Sequence, residues 1–319
     1  MASPATPAPF AIASMQRRAM GSVLIAIAIL TLMDAGIKLM AGTFGTPQIL
    51  VMRYGAGFLV ATVLFIGLLT FGRVRLPTWR SLVRSFQRSL LVTLVATCFF
   101  YALAVIPLAE ATAIAFTAPL YLALLGWMIL KEPVDGKTWI AILIGLAGVG
   151  VISSSAFTNG FSGALSGYIA AAVASFAYAA ALVLTRLHAA SDPVPTMIML
   201  QSGFSGLLAL PLLALTFAGM AIDGRPFVAL NAGWLWFALG IGFLGTCGHL
   251  FMTYGFKHAP AAKLGPMEYT SLLWAAFYGF VFFQEVPGVR LLIGSALIVV
   301  GTWIVMRQEK DTGTAIESS

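Results

Sequence analysis

Ten apolar stretches, each of a length to cross a bilayer, leave this chain almost no choice of architecture. They fall at residues 19–40, 47–70, 89–106, 108–130, 138–153, 163–186, 196–218, 233–256, 261–283 and 289–306. A helix needs about 17–25 apolar residues to span the hydrocarbon. Short turns marked by proline or glycine separate the runs, among them TFGTP, VIPLAE, KEPVDG and QEVPG. Backbone groups in lipid have no water to bond, so each run must be helical. The residues are 60% hydrophobic and 9% charged, against about 25% charged in a soluble domain. No soluble core could hide that much apolar surface. The expectation is an all-α polytopic membrane protein with ten transmembrane helices.

The basic residues give the count an independent check. With ten spans, fourteen of the 18 Lys and Arg residues fall on one side, including Arg17, Arg18, the run from Arg73 to Arg88, Lys131, Lys137 and Arg307. Two, Arg225 and Arg290, fall on the other, and Lys38 and Arg53 lie within spans. Lys and Arg mark the cytoplasmic side, so both termini are expected in the cytoplasm of a multi-pass protein of the inner membrane. The net charge of +7 therefore reads as a topology signal, and no nucleic-acid partner is expected. Cys98 and Cys247 sit inside apolar runs, which argues against a disulfide framework. Residues 1–18 and 308–319 read as cytoplasmic tails. In the segment VRLPTWRSLVRSFQRSL, Arg80, Arg84 and Arg88 recur beside an apolar stripe of Trp79, Leu82, Val83 and Phe86. Two readings stay open for it: a helix lying on the anionic inner leaflet, or a cytoplasmic extension of the third span.

A shift of 153 residues places FFYALAVIPLAEATAIAFTAPLYLALLGWMILKE (99–132) on MTYGFKHAPAAKLGPMEYTSLLWAAFYGFVFFQE (252–285) without a gap. Tyr101/Tyr254, Pro107/Pro260, Thr117/Thr270, Gly126/Gly279 and Glu132/Glu285 coincide. Each half, 19–153 and 163–307, thus holds five spans, and an odd number makes the second copy enter the membrane from the opposite side. Inverted repeats around a midplane cavity are a common transporter plan.

The pattern A-x₄-P-L-A-E-A-T-A from Ala102, followed by T-A-P-L from Thr117 and L-K-E-P from Leu130, resembles the EamA half-domain of the drug/metabolite transporter superfamily. The second half matches more loosely, through Pro260, Ala261, Ala262, Pro266 and Glu285. Within that superfamily the chain looks closest to YddG-type exporters of aromatic and other amino acids. The resemblance implies a basket of helices 1, 3, 4, 6, 8 and 9 around a central cavity, with helices 5 and 10 outside. It also implies outward transport of an amino acid or a similar small amphipathic metabolite. Broad drug/metabolite efflux is the alternative.

Several residues are candidates for the cavity. Asp34 and Lys38 are neighbours at i, i+4 on span one, able to neutralise each other or to meet the two ends of a zwitterion. Arg53 is a third charge, on a span less expected to line the cavity. Glu268, about seven residues into span nine, lacks an i±4 partner and suits a substrate ammonium or a proton. His249 is a lone histidine among glycines, fit for packing or for relay. Small-residue faces run along span four (Thr112, Ala115, Pro119, Leu122, Gly126) and span nine (Gly265, Glu268, Leu272, Ala275, Gly279). Pro119 and Pro266 would free backbone carbonyls and kink both spans. Aromatic candidates are Phe116, Tyr121, Tyr269 and Trp274 near those faces, with Tyr101, Tyr178 and Tyr254 on neighbouring helices.

Other function classes fare worse. No G-x-x-x-x-G-K-[ST] loop is present, which disfavours an ATP-driven pump, and no cofactor is expected. GFSG occurs at 160–163 and 203–206, so an intramembrane serine protease activated by His249 is a remote rival. The expected partners are a small-molecule substrate and lipid. Gly145, Gly148, Gly150, Gly294 and Gly301 suggest close helix packing and allow a monomer or a weak homodimer.

Overall fold

In the computed structural model, the described residues are 9–74, 76–125, 128, 136–158, 164–187, 193–219, 224–258 and 270–317. They are helical nearly throughout. The helices are α1 (Pro9–Ala41), α2 (Thr46–Thr70), α3 (Trp79–Val105), α4 (Leu108–Ala115), α5 (Ala118–Leu125), α6 (Gly136–Thr158), α7 (Ala164–Leu187), α8 (Val194–Phe217), α9 (Ala232–His258), α10 (Thr270–Phe283) and α11 (Val289–Glu317). α4 and α5 are the two pieces of one span, so the count of ten spans holds.

Two boundaries differ from expectation. Residues 9–18 and 308–317, read as tails, continue α1 and α11. No proline interrupts either extension, and the Ala, Met, Gln and Arg of residues 10–20 are strong helix formers. α3 is one helix from Trp79, so the arginine-bearing segment extends the third span. Thr78 caps it, its Oγ1 accepting from the Ser81 N–H at 3.2 Å. Along α3 the usual pattern is inside out. Ser81, Ser85, Ser89 and Thr93 are buried at four-residue spacing, while Trp79, Val83, Phe86, Leu90 and Leu94 face outward. Small hydroxyl residues permit close helix approach, and lipid accepts the apolar face.

The packing is two-fold. α1 lies on α9, and α3 lies on α7; α2 pairs with α8, and α6 with α11. Exchanging each span for the one five places on maps the first two contacts onto each other and the last two onto themselves, as an inverted repeat requires. At the α6–α11 contact the glycines do what their pattern suggests. A Cβ on Gly148 would stand 2.6 Å from the Gly294 carbonyl, and one on Gly294 would stand 2.7 Å from that of Gly148.

The break in span four has a local cause. Pro119 carries no N–H, so the Ala115 carbonyl loses its helical partner. Ser175 on α7 replaces it, donating to Ala115 O at 3.1 Å, and Ser175 Oγ lies 2.9 Å from Thr117 Oγ1. Thr117 in turn donates to Ile114 O at 2.7 Å. The Thr117 bonds are buried, and the one from Ser175 to Ala115 O is part-buried. Ser175→Ala should therefore lower stability by about 1 kcal/mol, read as a shift in unfolding midpoint. A Thr117→Val change in that background should add less than it does alone, because the two hydroxyls share one network.

The two ends of the bundle are unlike. The end remote from the termini is solid. Ile37 and Met40 of α1, Phe44, Ile49 and Leu50 at the entry to α2, and Leu103, Ile106 and Leu108 at the α3–α4 turn are all fully or almost fully buried. Residues 225–231 lie over them. The Gln48 side chain donates to Val228 O at 2.6 Å and accepts from Val228 N at 3.1 Å, and Phe44 meets the Trp234 ring edge to face at 5.0 Å.

Candidate functional site

Two polar constellations occupy the bundle, and each is built from residues far apart in sequence. The first closes the solid end. α10 stops at Phe283, and Gln284 takes a left-handed conformation (φ 56°) with Glu285 N–H bonded back to Gly279 O. That is the geometry of a helix stop normally supplied by glycine. It turns the chain so that the Glu285 carboxylate meets one cation and one backbone N–H at once. Oε1 lies 3.1 Å from Lys38 Nζ on α1, and Oε2 accepts from the Leu108 N–H, the first turn of α4, at 3.0 Å. A carboxylate there also meets the positive end of the α4 dipole. Lys38 donates onward to Leu103 O at 3.0 Å and Ile106 O at 2.6 Å, the last carbonyls of α3, and stands 5.5 Å from the Phe283 ring. One ion pair thus ties the ends of α1, α3, α4 and α10. Beside it, the Tyr168 hydroxyl of α7 donates to Glu110 Oε2 of α4 at 2.5 Å.

The second is a cavity of about 190 Å³ between α2, α3, α8 and α9. Arg53, Arg88, Gln201, Ser202, Thr246 and His249 supply its polar wall. Arg53 is only 5% exposed, and it fits because two neighbours are glycines. A Cβ on Gly245 would lie 2.2 Å from its Nη2, and one on Gly57 2.9 Å from its Nη1. Its Nε donates to Met33 Sδ at 3.1 Å, and its guanidinium stands 5.3 Å from the Tyr54 ring. Arg88 donates to Gln201 Oε1 at 3.0 Å and to Met197 O at 3.4 Å. His249 Nδ1 is 2.7 Å from Gly245 O, so that nitrogen carries the proton. Met197 and Val194, in the first turn of α8, mark the cavity's end nearer the termini.

The sequence candidates divide accordingly. His249 lines the cavity, and Lys38 belongs to the seal. Asp34 and Lys38 do not form the intrahelical pair: among the described residues Lys38 is paired with Glu285, and Asp34 lies within electrostatic reach of Arg53. Tyr101 bonds Ser166 across α3 and α7 at 2.8 Å. Phe116 is buried at the break in span four, and Tyr121 meets Phe176 edge to face at 5.5 Å. Tyr178 and Tyr254 are exposed on α7 and α9. Trp274 stacks on Tyr278 at 5.7 Å. Glu268 and Tyr269 lie outside the described residues, as do Pro266 and Trp127. The described part of the span-nine small-residue face packs closely: Ala275 is fully buried and Gly279 abuts Glu285, while Gly265 and Glu268 lie outside the described residues.

Spans two and seven, expected away from the cavity, form half of its wall. Gln201, Ser202 and Thr246 gave no signal in the sequence because hydroxyls and amides are common in such helices, and Arg88 stood among the basic residues that mark the cytoplasmic side. Glu285 was visible only as a repeat identity and as part of the family resemblance, with nothing to indicate that Gln284 would turn it inward.

The EamA-like transporter family model matches this chain twice, at residues 17–154 and 165–307. The chain belongs to that family. A protein of Helicobacter pylori (strain J99 / ATCC 700824), described as an uncharacterized transporter, is 30% identical over 87% of this chain and 92% of its own. The pseudopaline exporter CntI of Pseudomonas aeruginosa (strain UCBPP-PA14) is 26% identical over 70% and 74%. The S-adenosylmethionine uptake transporter of Rickettsia felis is 23% identical over 75% and 76%. A solved crystal structure shares the fold, with TM-score 0.58 at 21% identity over 94% of this chain and 99% of that one. As an EamA-like family member, the chain is a multi-pass membrane transporter of small metabolites and not an enzyme. The protease reading also fails locally, since Ser205 Oγ is buried and has no hydrogen-bond partner among the described residues.

Proposed function

We propose that this protein is a secondary transporter of the inner membrane that exports amino acids, aromatic ones among them, by alternating access. The observation that carries the mechanism is the contrast between the two ends. The end holding Lys38, Glu285 and the buried side chains at the α1–α2 and α3–α4 turns is closed, while the polar cavity reaches the first turn of α8 at the other. With the basic residues and both termini on the cytoplasmic side, this is an outside-closed state with its binding cavity on the inner half. An inverted repeat supplies the converse state by exchanging the roles of its halves.

The amino-acid reading is supported by the cavity's size and charge. About 190 Å³ is small against the 300–1,000 Å³ or so of a drug-sized pocket, and a wall with two arginines repels cationic drugs. Export rather than import rests on the likeness to amino-acid exporters. The named relatives include one exporter and one uptake system, so the fold serves either direction.

Proteoliposomes containing the protein should take up labelled amino acids with saturation and counterflow. Running the panel with and without a pH gradient separates proton coupling from facilitated diffusion. Unsaturable flux would replace the carrier with a channel. Resistance of expressing cells to cationic dyes, without resistance to toxic amino-acid analogues, would replace amino-acid export with drug efflux.

A further inference from the structure

The Arg53 guanidinium is held in a membrane span with too little to neutralise it. A buried charge in such a span is costly and marks function by default. Its Nε meets a thioether, a weak acceptor, and its face meets a tyrosine ring. Among the described residues no acceptor bonds Nη1 or Nη2, and Asp34 is near enough to feel the charge without an ion pair. The described residues lining the cavity beside it include a second arginine and a histidine but no carboxylate. Gly57 and Gly245 keep both terminal nitrogens in place, because any side chain at either would displace them.

We infer that Arg53 is the substrate-binding residue that receives a carboxylate of the transported solute, through the forked donor geometry of its terminal nitrogens. The inference deepens the amino-acid reading above and rests on it for the identity of the solute. An arginine presents two parallel N–H groups to a carboxylate, which a lysine cannot match. The bound anion supplies the missing counter-charge, and the apolar wall of Val92, Met197 and Ile198 is left for the remainder of the molecule.

The test titrates full-length protein in lipid nanodiscs with L-methionine, L-phenylalanine, their carboxamides and 3-phenylpropionate, followed by calorimetry. The acids should bind at least about tenfold more tightly than the carboxamides, the size of a lost charge-assisted hydrogen bond. Arg53→Gln should remove that preference, and Arg53→Lys should restore part of it. Gly245→Ala should lower acid affinity with the arginine still present, which keeps the test open should Arg53→Gln fail to fold. Equal binding of acids and carboxamides, no binding of any probe, or a folded Arg53→Gln protein with unchanged affinity each overturns the assignment. Arg53-dependent binding of 3-phenylpropionate alone upholds it and refutes the amino-acid reading. Acid-selective binding without flux in proteoliposomes upholds it and refutes transport of these solutes.

Discussion

Glu285→Gln should unlock the closed end. The substitution leaves Lys38, whose side chain is 12% exposed, without its counter-charge, and weakens the acceptor at the Leu108 N–H. A hydrogen bond to a charged group is worth about 1.5–3 kcal/mol, so the ratio of open to closed states should rise roughly 10- to 100-fold. The readout is the labelling rate of a cysteine at Ala109, 5% exposed at that end, by a membrane-impermeant maleimide, after Cys98 and Cys247 are replaced. A sharper form uses the swap of Lys38→Glu with Glu285→Lys. A simple ion pair would survive it. Here the swap should fail, because a carboxylate at position 38 would face the Leu103 and Ile106 carbonyls and an ammonium at 285 would face the Leu108 N–H. Unchanged labelling in Glu285→Gln, or full recovery by the swap, refutes the seal.

Gly148→Ala and Gly150→Ala should move stability in opposite directions although they lie two residues apart on α6. At 148 the added methyl collides with backbone, 2.6 Å from Gly294 O, and with Ile298 on α11. Backbone yields only if the helices separate, so the cost should sit near the upper end of overpacking, about 3 kcal/mol. At 150 nothing lies within 4 Å, and replacing a helical glycine with alanine gains about 1 kcal/mol. Thermal unfolding of both variants in one lipid composition checks the sign as well as the size. Equal midpoints would mean that α6 and α11 do not pack through these glycines.

Much of this was legible beforehand, for reasons that can be traced. Run length fixes the spans because lipid permits one backbone solution. Pro119 announces the break in span four because a missing N–H cannot be supplied by any fold, though only the structure brings Ser175 to the orphaned carbonyl. Gly148 and Gly294 announce a close approach without saying to what. The charges were harder. Asp34 and Lys38 suggested a pair because helical spacing is all that sequence offers, and the nearer partner in space, Glu285, stands at the end of another helix.

The sequence by itself therefore determined ten helices, their alternating direction and the duplication that inverts one half, since these follow from local hydrophobicity, charge bias and repeat. Tertiary structure alone decided which charges meet: Lys38 with Glu285 at the sealed end, and Arg53 beside a cavity with no paired anion among the described residues. Ion pairing depends on distance through space, and a helix end turned by one left-handed residue moves a carboxylate farther than any spacing rule can follow.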